Sequence, residues 1–379
     1  MSAISLFSGA GGMDIGFEAS GFHTEWANDL DPIACATHSE NLGGKVETGP
    51  IQDFMETMSQ RSGVDLVFGG PPCQGFSVAG KMDPQDARSA LIWQFFEVVE
   101  RVRPAAFVCE NVKALASLSK WERVRRKMFQ KADELGYSYG LIVLNSKDFG
   151  VPQSRERMFL IGTRTRNDFQ SLPERFASYH KPTKTLRETF RDLGAAGSPT
   201  NPRVCNAKIT MASSPVMRRS PYAGMMFNGQ GRPLNPNGIS STLHASMGGN
   251  KTPILDELNL HYGEPSWVEE YHAHLMSGGQ PLPFEGAPDR LRRLTVDEAI
   301  RIQTFPIDYK FAGRQGDIFR QVGNAVPCLL AQAVGAVAHD LLTGKSVAFS
   351  EREQLDLLLE PYKSRSGVAI HQKEAFLEQ

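Results

Sequence analysis

Asp65-Leu-Val-Phe-Gly-Gly-Pro-Pro-Cys-Gln-Gly-Phe-Ser77 begins as an apolar run and ends as a turn. Leu66 to Phe68, followed by Gly69 and Gly70, reads as a short buried strand. Pro71 and Pro72 fix the backbone just beyond it, and Gly69, Gly70 and Gly75 leave room for something large to approach. Cys73 therefore stands at the C-terminal edge of a strand, where open α/β sheets hold ligands and chemistry. The competing reading is a buried structural cysteine. Which one holds depends on what the flanking elements bring to the same edge.

Upstream, Ile4–Phe7 reads as a strand, Ser8–Gly12 as a glycine turn and Met13–Ala19 as a helix. This is the opening of a nucleotide-binding α/β unit, although the spacing is not GxGxxG and implies no pyrophosphate. A second strand, His23–Ala27, leads into Asn28-Asp29-Leu30-Asp31 and a helix from Pro32 to Glu40. An acid at this place suits a ribose hydroxyl pair. Asp31 also suits a helix cap, with Pro32 at the first helical position, so Asp29 and Asp31 divide the two tasks. Downstream, Phe76–Arg88 reads as a mobile polar loop, Ser89–Arg101 as a helix and Ala105–Cys109 as a strand followed by Glu110-Asn111-Val112. A helix, Trp121–Leu135, is closed by Gly136, and Tyr139–Asn145 with Arg157–Gly162 reads as a hairpin. Cys73, Glu110, Arg155 and Arg157 would then converge on one rim as nucleophile, acid and anchors.

From about Thr163 to Arg293 periodicity fades and Gly, Pro, Ser and Asn rise, as in a second, irregular domain. No acidic residue falls between Asp192 and Asp256, while Arg203, Lys208, Arg218, Arg219, Arg232 and Lys251 all do. In a chain of net charge −1 that asymmetry suits a polyanion-binding surface. Regular structure resumes with a capping box at Thr295 and Glu298 and a last helix from near Asn324 to Leu342. The tail holds one amphipathic stretch, Glu351–Leu359. Hydrophobic residues make up 41% and charged residues 22%, as in ordinary globular proteins. No apolar run is expected to approach the roughly 18 residues of a membrane span, and no basic region opens a signal peptide. The five cysteines are scattered without a CxxC pair, which argues against zinc and disulfides and suits a reducing cytosol.

Six motifs in order, FSGAGG (Phe7–Gly12), GGPPCQGFS (Gly69–Ser77), ENV (Glu110–Val112), QSRER (Gln153–Arg157), RRLTVDEAIRIQTFP (Arg292–Pro306) and GNAVP (Gly323–Pro327), resemble those of the cytosine-C5 DNA methyltransferases. The resemblance spans Ile4 to about Ala338 and implies an α/β, doubly wound mixed sheet of the S-adenosylmethionine-dependent type with a smaller target recognition domain. Its implied boundaries are 1–164 for catalysis and cofactor, 165–293 for recognition, 294–345 for a return segment and 346–379 for a tail. It implies Cys73 as the nucleophile toward cytosine C6 and Glu110 at N3 and the exocyclic amine. Arg155 and Arg157 would hold the O2 side, the carboxylate and a phosphate. The target base would be flipped out of the duplex, with the 76–88 loop closing over it. S-adenosyl-L-methionine would contact Phe7, Gly9, Ala10, Gly12, Asp29, Leu30, Ile51, Gly70, Leu91, Asn324 and Val326. Asp29 stands where the family commonly has Glu, Leu30 where an aromatic often stacks on adenine, and Gly49-Pro50-Ile51 where Gly-Asp-Ile is frequent, so Asp53 or a backbone carbonyl would take the adenine amine. Thr242 and Leu243 resemble the family's Thr-Leu pair, and Arg218, Arg219, Arg232, Asn250 and Lys251 are candidate DNA contacts. The implied setting is a cytoplasmic, nucleoid-associated bacterial monomer that binds double-stranded DNA, has no membrane partner and has a restriction endonuclease as genetic companion. A tRNA-modifying enzyme of the same architecture and a catalytically silent DNA-binding module are the competing functions. A nicotinamide oxidoreductase is disfavoured by the missing GxGxxG.

Overall fold

Short, nearly continuous apolar runs make the central strands of the first half of the chain, buried on both faces. The computed structural model describes residues 1–72 and 91–346; Cys73, the 76–88 loop and the 351–359 stretch lie outside the described residues. The strands are β1 (Ser2–Leu6), β2 (His23–Asp29), β3 (Lys45–Thr48), β4 (Leu66–Gly69), β5 (Ala106–Val112), β6 (Ser138–Asn145), the two-residue β7 (Gln153–Ser154) and β8 (Glu156–Thr163). Seven of them form one sheet in the order β3-β2-β1-β4-β5-β8-β6. Neighbours from β3 to β5 run parallel, and β8 runs antiparallel between β5 and β6. The mixed, doubly wound sheet expected from the sequence is therefore present. Its order reverses between β1 and β4, and ligands in such sheets lie outside the strand ends at that switch.

The helices of this half are α1 (Gly12–Ala19), α2 (Pro32–Asn41), α3 (Met55–Ser59), α4 (Leu91–Val102), α5 (Lys113–Ser117) and α6 (Glu122–Glu134). Ile4, Leu6, Val67, Phe107 and Cys109 point to one face, against Phe95, Phe96 and Val99 of α4 and Met128 of α6. Ala3, Leu66, Phe68 and Val108 point to the other, where Phe17 of α1 meets Leu330, Val334 and Val337 near the end of the chain. Phe17 stacks on Phe68 with centroids 4.3 Å apart.

Beyond β8 the elements are short. They are α7 (Leu172–Ala177), α8 (Leu186–Thr189), the β9–β10 pair (Met211–Val216, Met225–Phe227), β11 (Ser240–Ser241), β12 (Ile254–Asp256), α9 (Glu257–Tyr262), α10 (Trp267–Met276) and β13 (Leu291–Arg293). Met211, Phe227, Ile254 and Tyr271 build a small local core. Leu234, Leu243, Leu255 and Leu260 instead pack with residues after Leu294. β11 also pairs in parallel with β7, which stitches this segment to the QSRER stretch.

The chain returns through α11 (Val296–Ile302), α12 (Gln315–Asn324) and α13 (Cys328–Thr343). Thr295 and Glu298 form the expected capping box. The helix expected from near Asn324 to Leu342 is present as α13 but starts four residues later, after an extended Ala325 (ψ 146°) and Pro327 (ψ 134°), while α12 before it was not expected. Pro327 has no N–H to donate and excludes helical geometry from Val326 before it. A second expectation fails. Gln315–Thr343 contains a window apolar enough by length and composition to cross a membrane. That window is 83% buried inside the protein, and an all-round apolar helix is what a core position requires.

Candidate active site

Glu110 lies within β5, which runs three residues further than the apolar pattern indicated, through Val112. Because β8 is antiparallel, its first residues share the rim where β5 ends, and Val112 pairs with Arg157. That arrangement brings the Arg157 Nε to 3.0 Å from the Glu110 Oε1. On the other side of the carboxylate is Gly70, where a Cβ would fall 2.7 Å from Oε2. Burial pushes the Glu110 carboxyl above its ordinary value, against the opposing pull of Arg157 and Arg155. Asn111 turns the other way and donates from Nδ2 to the Pro71 carbonyl at 3.0 Å, fixing the chain just before Cys73.

The two arginines do not act as a pair. Arg157 takes the carboxylate, whereas Arg155 is 2% exposed and donates to the carbonyls of Leu243 at 3.1 Å and Gly323 at 3.0 Å. It clamps three separate segments of the chain together. Gly323 makes that possible, since a Cβ there would lie 2.5 Å from the His244 carbonyl carbon.

The glycine turn after β1 is tightly wound. Phe7, a non-glycine residue, has φ 54°, backbone geometry that costs energy and concentrates at functional sites; Gly9, also at φ 54°, adopts it freely. Asp29 holds the turn by accepting from the Gly9 amide and from the Asp31 amide, both at 2.8 Å. Burial raises its carboxyl above the ordinary value, opposed by those amides. Asp31 caps α2 through Ile33 N at 3.0 Å and pairs with Arg320 at 3.0 Å. Asp31 thus takes the cap expected of it, while Asp29 braces the turn. From the far side, the Tyr309 hydroxyl donates to the Ala10 carbonyl at 2.6 Å, and Gly12 lies so close that a Cβ would be 2.7 Å from the Val326 carbonyl.

A cavity of about 390 Å³ joins these parts. Phe7, Gly9, Ala10, Gly12, Asp29, Gly70, Asn324 and Val326 line it, together with Glu110, Arg155, Arg157, Thr242 and Leu243. Three residues expected at the cofactor stand off its wall. Leu30 is 69% exposed and Ile51 is buried in the core, while Leu91 opens α4. Asp53, offered as a substitute contact, is exposed and donates its amide to the Pro50 carbonyl. Thr242 is placed by its hydroxyl, which donates to the Ser154 carbonyl at 2.9 Å. Arg218 and Arg219 occupy the exposed turn between β9 and β10. Arg232, Asn250 and Lys251 are also exposed, and the Asn250 carbonyl accepts from Gly231 N at 3.0 Å. Among the described residues none of the four cations Arg218, Arg219, Arg232 and Lys251 pairs with a carboxylate.

Sequence reasoning passed over His244, which lines the same cavity. Partial burial, reinforced by Arg155, Lys251, Arg157 and Arg232, pushes its imidazole below the ordinary value. Four cations felt at one ring define an electropositive mouth. The run of basic residues without acids was the available signal for it. Tyr309, Asn111, Gln153 and Gln303 left no such signal, because their work is done through contacts distant in the chain.

A family model described as C-5 cytosine-specific DNA methylase matches residues 1–339. The chain is 31% identical over 358 residues to Type II methyltransferase M1.HphI of Haemophilus parahaemolyticus, covering 91% of this chain and 88% of that one. It is 30% identical over 361 residues to Type II methyltransferase M.NgoPII of Neisseria gonorrhoeae, covering 90% and 96%. Among solved structures, the Entamoeba histolytica methyltransferase EhMeth matches with a TM-score of 0.62 at 15% identity, over 91% of this chain and 98% of that one. Schizosaccharomyces pombe Dnmt2 methyltransferase matches with 0.60 at 17% identity, over 91% and 98%. These two likenesses concern the fold alone.

Proposed function

Because the chain belongs to the C-5 cytosine-specific DNA methylase family, we propose that it methylates C5 of one cytosine within a short duplex DNA sequence, as a restriction-modification methylase with S-adenosylmethionine as donor. The observation that carries the reading is the Glu110–Arg157 pair opening into the same cavity as the Phe7–Gly12 turn. A duplex hides cytosine C5, so the base must leave the stack to reach that carboxyl. The proposed domain limits, 1–164, 165–293 and 294–345, assign the choice of cytosine to the middle segment.

The residues present fit the donor. A cavity of about 390 Å³ is within the range of small-molecule sites, Gly9 leaves open space where a side chain would stand, and Asp29 retains acceptor capacity beyond its two amides. Phe7, Gly9, Asp29, Asn324 and Val326 would hold it. When bound, it supplies an electrophilic methyl group.

The rest of the chemistry belongs to the chain. Cys73 adds as thiolate to C6, and the displaced ring electrons reach N3, which takes a proton from Glu110. Burial raises its pKa, which favours the protonated form that donates. C5 thereby gains the electron density it lacks in the free base, so one difficult step becomes two easier ones. After methylation a base removes the C5 proton, the C5–C6 double bond re-forms, Cys73 departs as thiolate and N3 returns its proton to Glu110. Arg157 orients the carboxylate, and Arg232, Lys251 and the exposed Arg218 and Arg219 supply phosphate contacts.

Transfer of tritiated methyl groups to duplex DNA, with tRNA as the competing acceptor, tests this reading. Wild-type protein should label DNA and Cys73→Ala should not. Label in tRNA alone would move the enzyme to the RNA branch, and full activity of Cys73→Ala would remove the covalent mechanism. Bisulfite sequencing of DNA from an expressing strain would identify the cytosine.

A further inference from the structure

Two glutamines, each fully buried, run between the Thr242–Leu243 strip and the segment that follows α12. The Leu243 amide donates to Gln153 Oε1 at 2.8 Å. Gln153 Nε2 donates to Gln303 Oε1 at 2.7 Å, across 150 positions of sequence. Gln303 Nε2 then donates to the carbonyl of Val322 and, at 3.1 Å, to that of Ala325. A backbone amide can only donate and a carbonyl can only accept, so the polarity of both ends fixes both side-chain amides in one orientation. Every atom of the two amides is used, and each lies where an unmet partner costs most.

The ends of this relay matter more than its middle. Leu243 and Thr242 line the cavity from the segment assigned to DNA recognition, while Asn324, Ala325 and Val326 line it from the segment assigned to the donor. Arg155 spans the same interval in parallel, from the Leu243 carbonyl to that of Gly323. A displacement of Leu243 on meeting DNA cannot leave the 322–326 backbone unchanged without breaking a buried hydrogen bond. We propose that Gln153 and Gln303 are positioning residues that couple DNA engagement at Thr242–Leu243 to cofactor affinity at Asn324–Val326. The inference rests on the function proposed above.

Methionine at either position keeps the volume and removes the hydrogen bonds. The test is the dissociation constant of S-adenosylhomocysteine, measured by calorimetry with and without a saturating oligonucleotide duplex carrying the sequence that bisulfite mapping identifies. Thermal melting checks folding, and Gln153→Met serves if Gln303→Met does not fold. In the wild type the duplex should tighten the ligand about tenfold, the scale of ordinary site-to-site coupling. The ratio should fall to about threefold or less in each single variant, the parallel Arg155 link carrying the remainder, with the double variant no lower than either single, because the relay is broken once. A role in packing alone would lower the melting temperature and leave the ratio intact, which would overturn the inference. An uncoupled wild type that still methylates DNA would do the same, leaving the proposed function standing. A wild type with no methyl transfer would overturn both.

Discussion

Glu110 is set by one guanidinium and one missing methyl group. Arg157 at 3.0 Å favours the carboxylate, burial favours the acid, and burial wins. A folded-state pKa above the unfolded one means that folding favours the protonated form. The stability this gives is complete below the ordinary carboxylate range and is lost as pH rises through the raised value. The melting temperature of wild type relative to Glu110→Gln should therefore fall steadily across that window, and parallel melting curves at every pH would count against the raised value. Gly70 makes a separate claim. A methyl group 2.7 Å from Oε2 must push the carboxylate off Arg157, so Gly70→Ala should lower kcat by roughly 10²-fold, the lower end of what positioned acid–base groups contribute. A wild-type kcat in that variant would show that the carboxylate position is unimportant. The sequence displayed Gly70 as a turn residue near the donor; its service to a side chain 40 positions away on another strand had no local trace.

At the scale of elements, α1 and α13 come closer than side chains allow. A Cβ at Gly16 would meet the Gln332 amide nitrogen at 2.4 Å and the Ala331 carbonyl carbon at 2.5 Å. Alanine gains about 1 kcal/mol of helix propensity over glycine, but overpacking costs about 1–3 kcal/mol, and a neighbouring backbone cannot swing aside. Gly16→Ala should accordingly lower the melting temperature, and a rise would show that the contact relaxes cheaply. Legibility at this scale followed the kind of signal involved. The β6–β8 hairpin and the capping box at Thr295 were visible because short apolar runs and cap chemistry are local. The start of α13 was also written locally, in Pro327, whereas α12 before it, with few apolar residues in QGDIFRQVGN, was passed over. The short elements from β9 to β13 had no periodicity to read, since their hydrophobic residues serve two cores.

For the whole molecule, charge separates two groups of basic residues. Arg232 and Lys251 act on the imidazole of His244 at the cavity mouth, while Arg218 and Arg219 sit on the β9–β10 turn. Each lost phosphate contact removes about 0.9 from the slope of log affinity against log salt. Arg232→Ala/Lys251→Ala should therefore flatten the slope by up to about two, and an unchanged slope would place both residues off the phosphate footprint. The acid-free stretch announced this surface in the sequence, but not which cations lie at the mouth, because that depends on how irregular loops fold back. One last consequence follows from α13 covering α1. α1 leaves the ribosome tens of seconds before its apolar partner α13, at roughly 5–20 residues per second. Throughout synthesis the face around Phe17 and Gly16 is an unfilled berth, open to chaperones or to the α13 of another nascent chain. Completion of the Phe7–Gly12 turn, pinned by Tyr309 and Val326, is postponed to the same moment, so a partly made chain lacks a finished cavity.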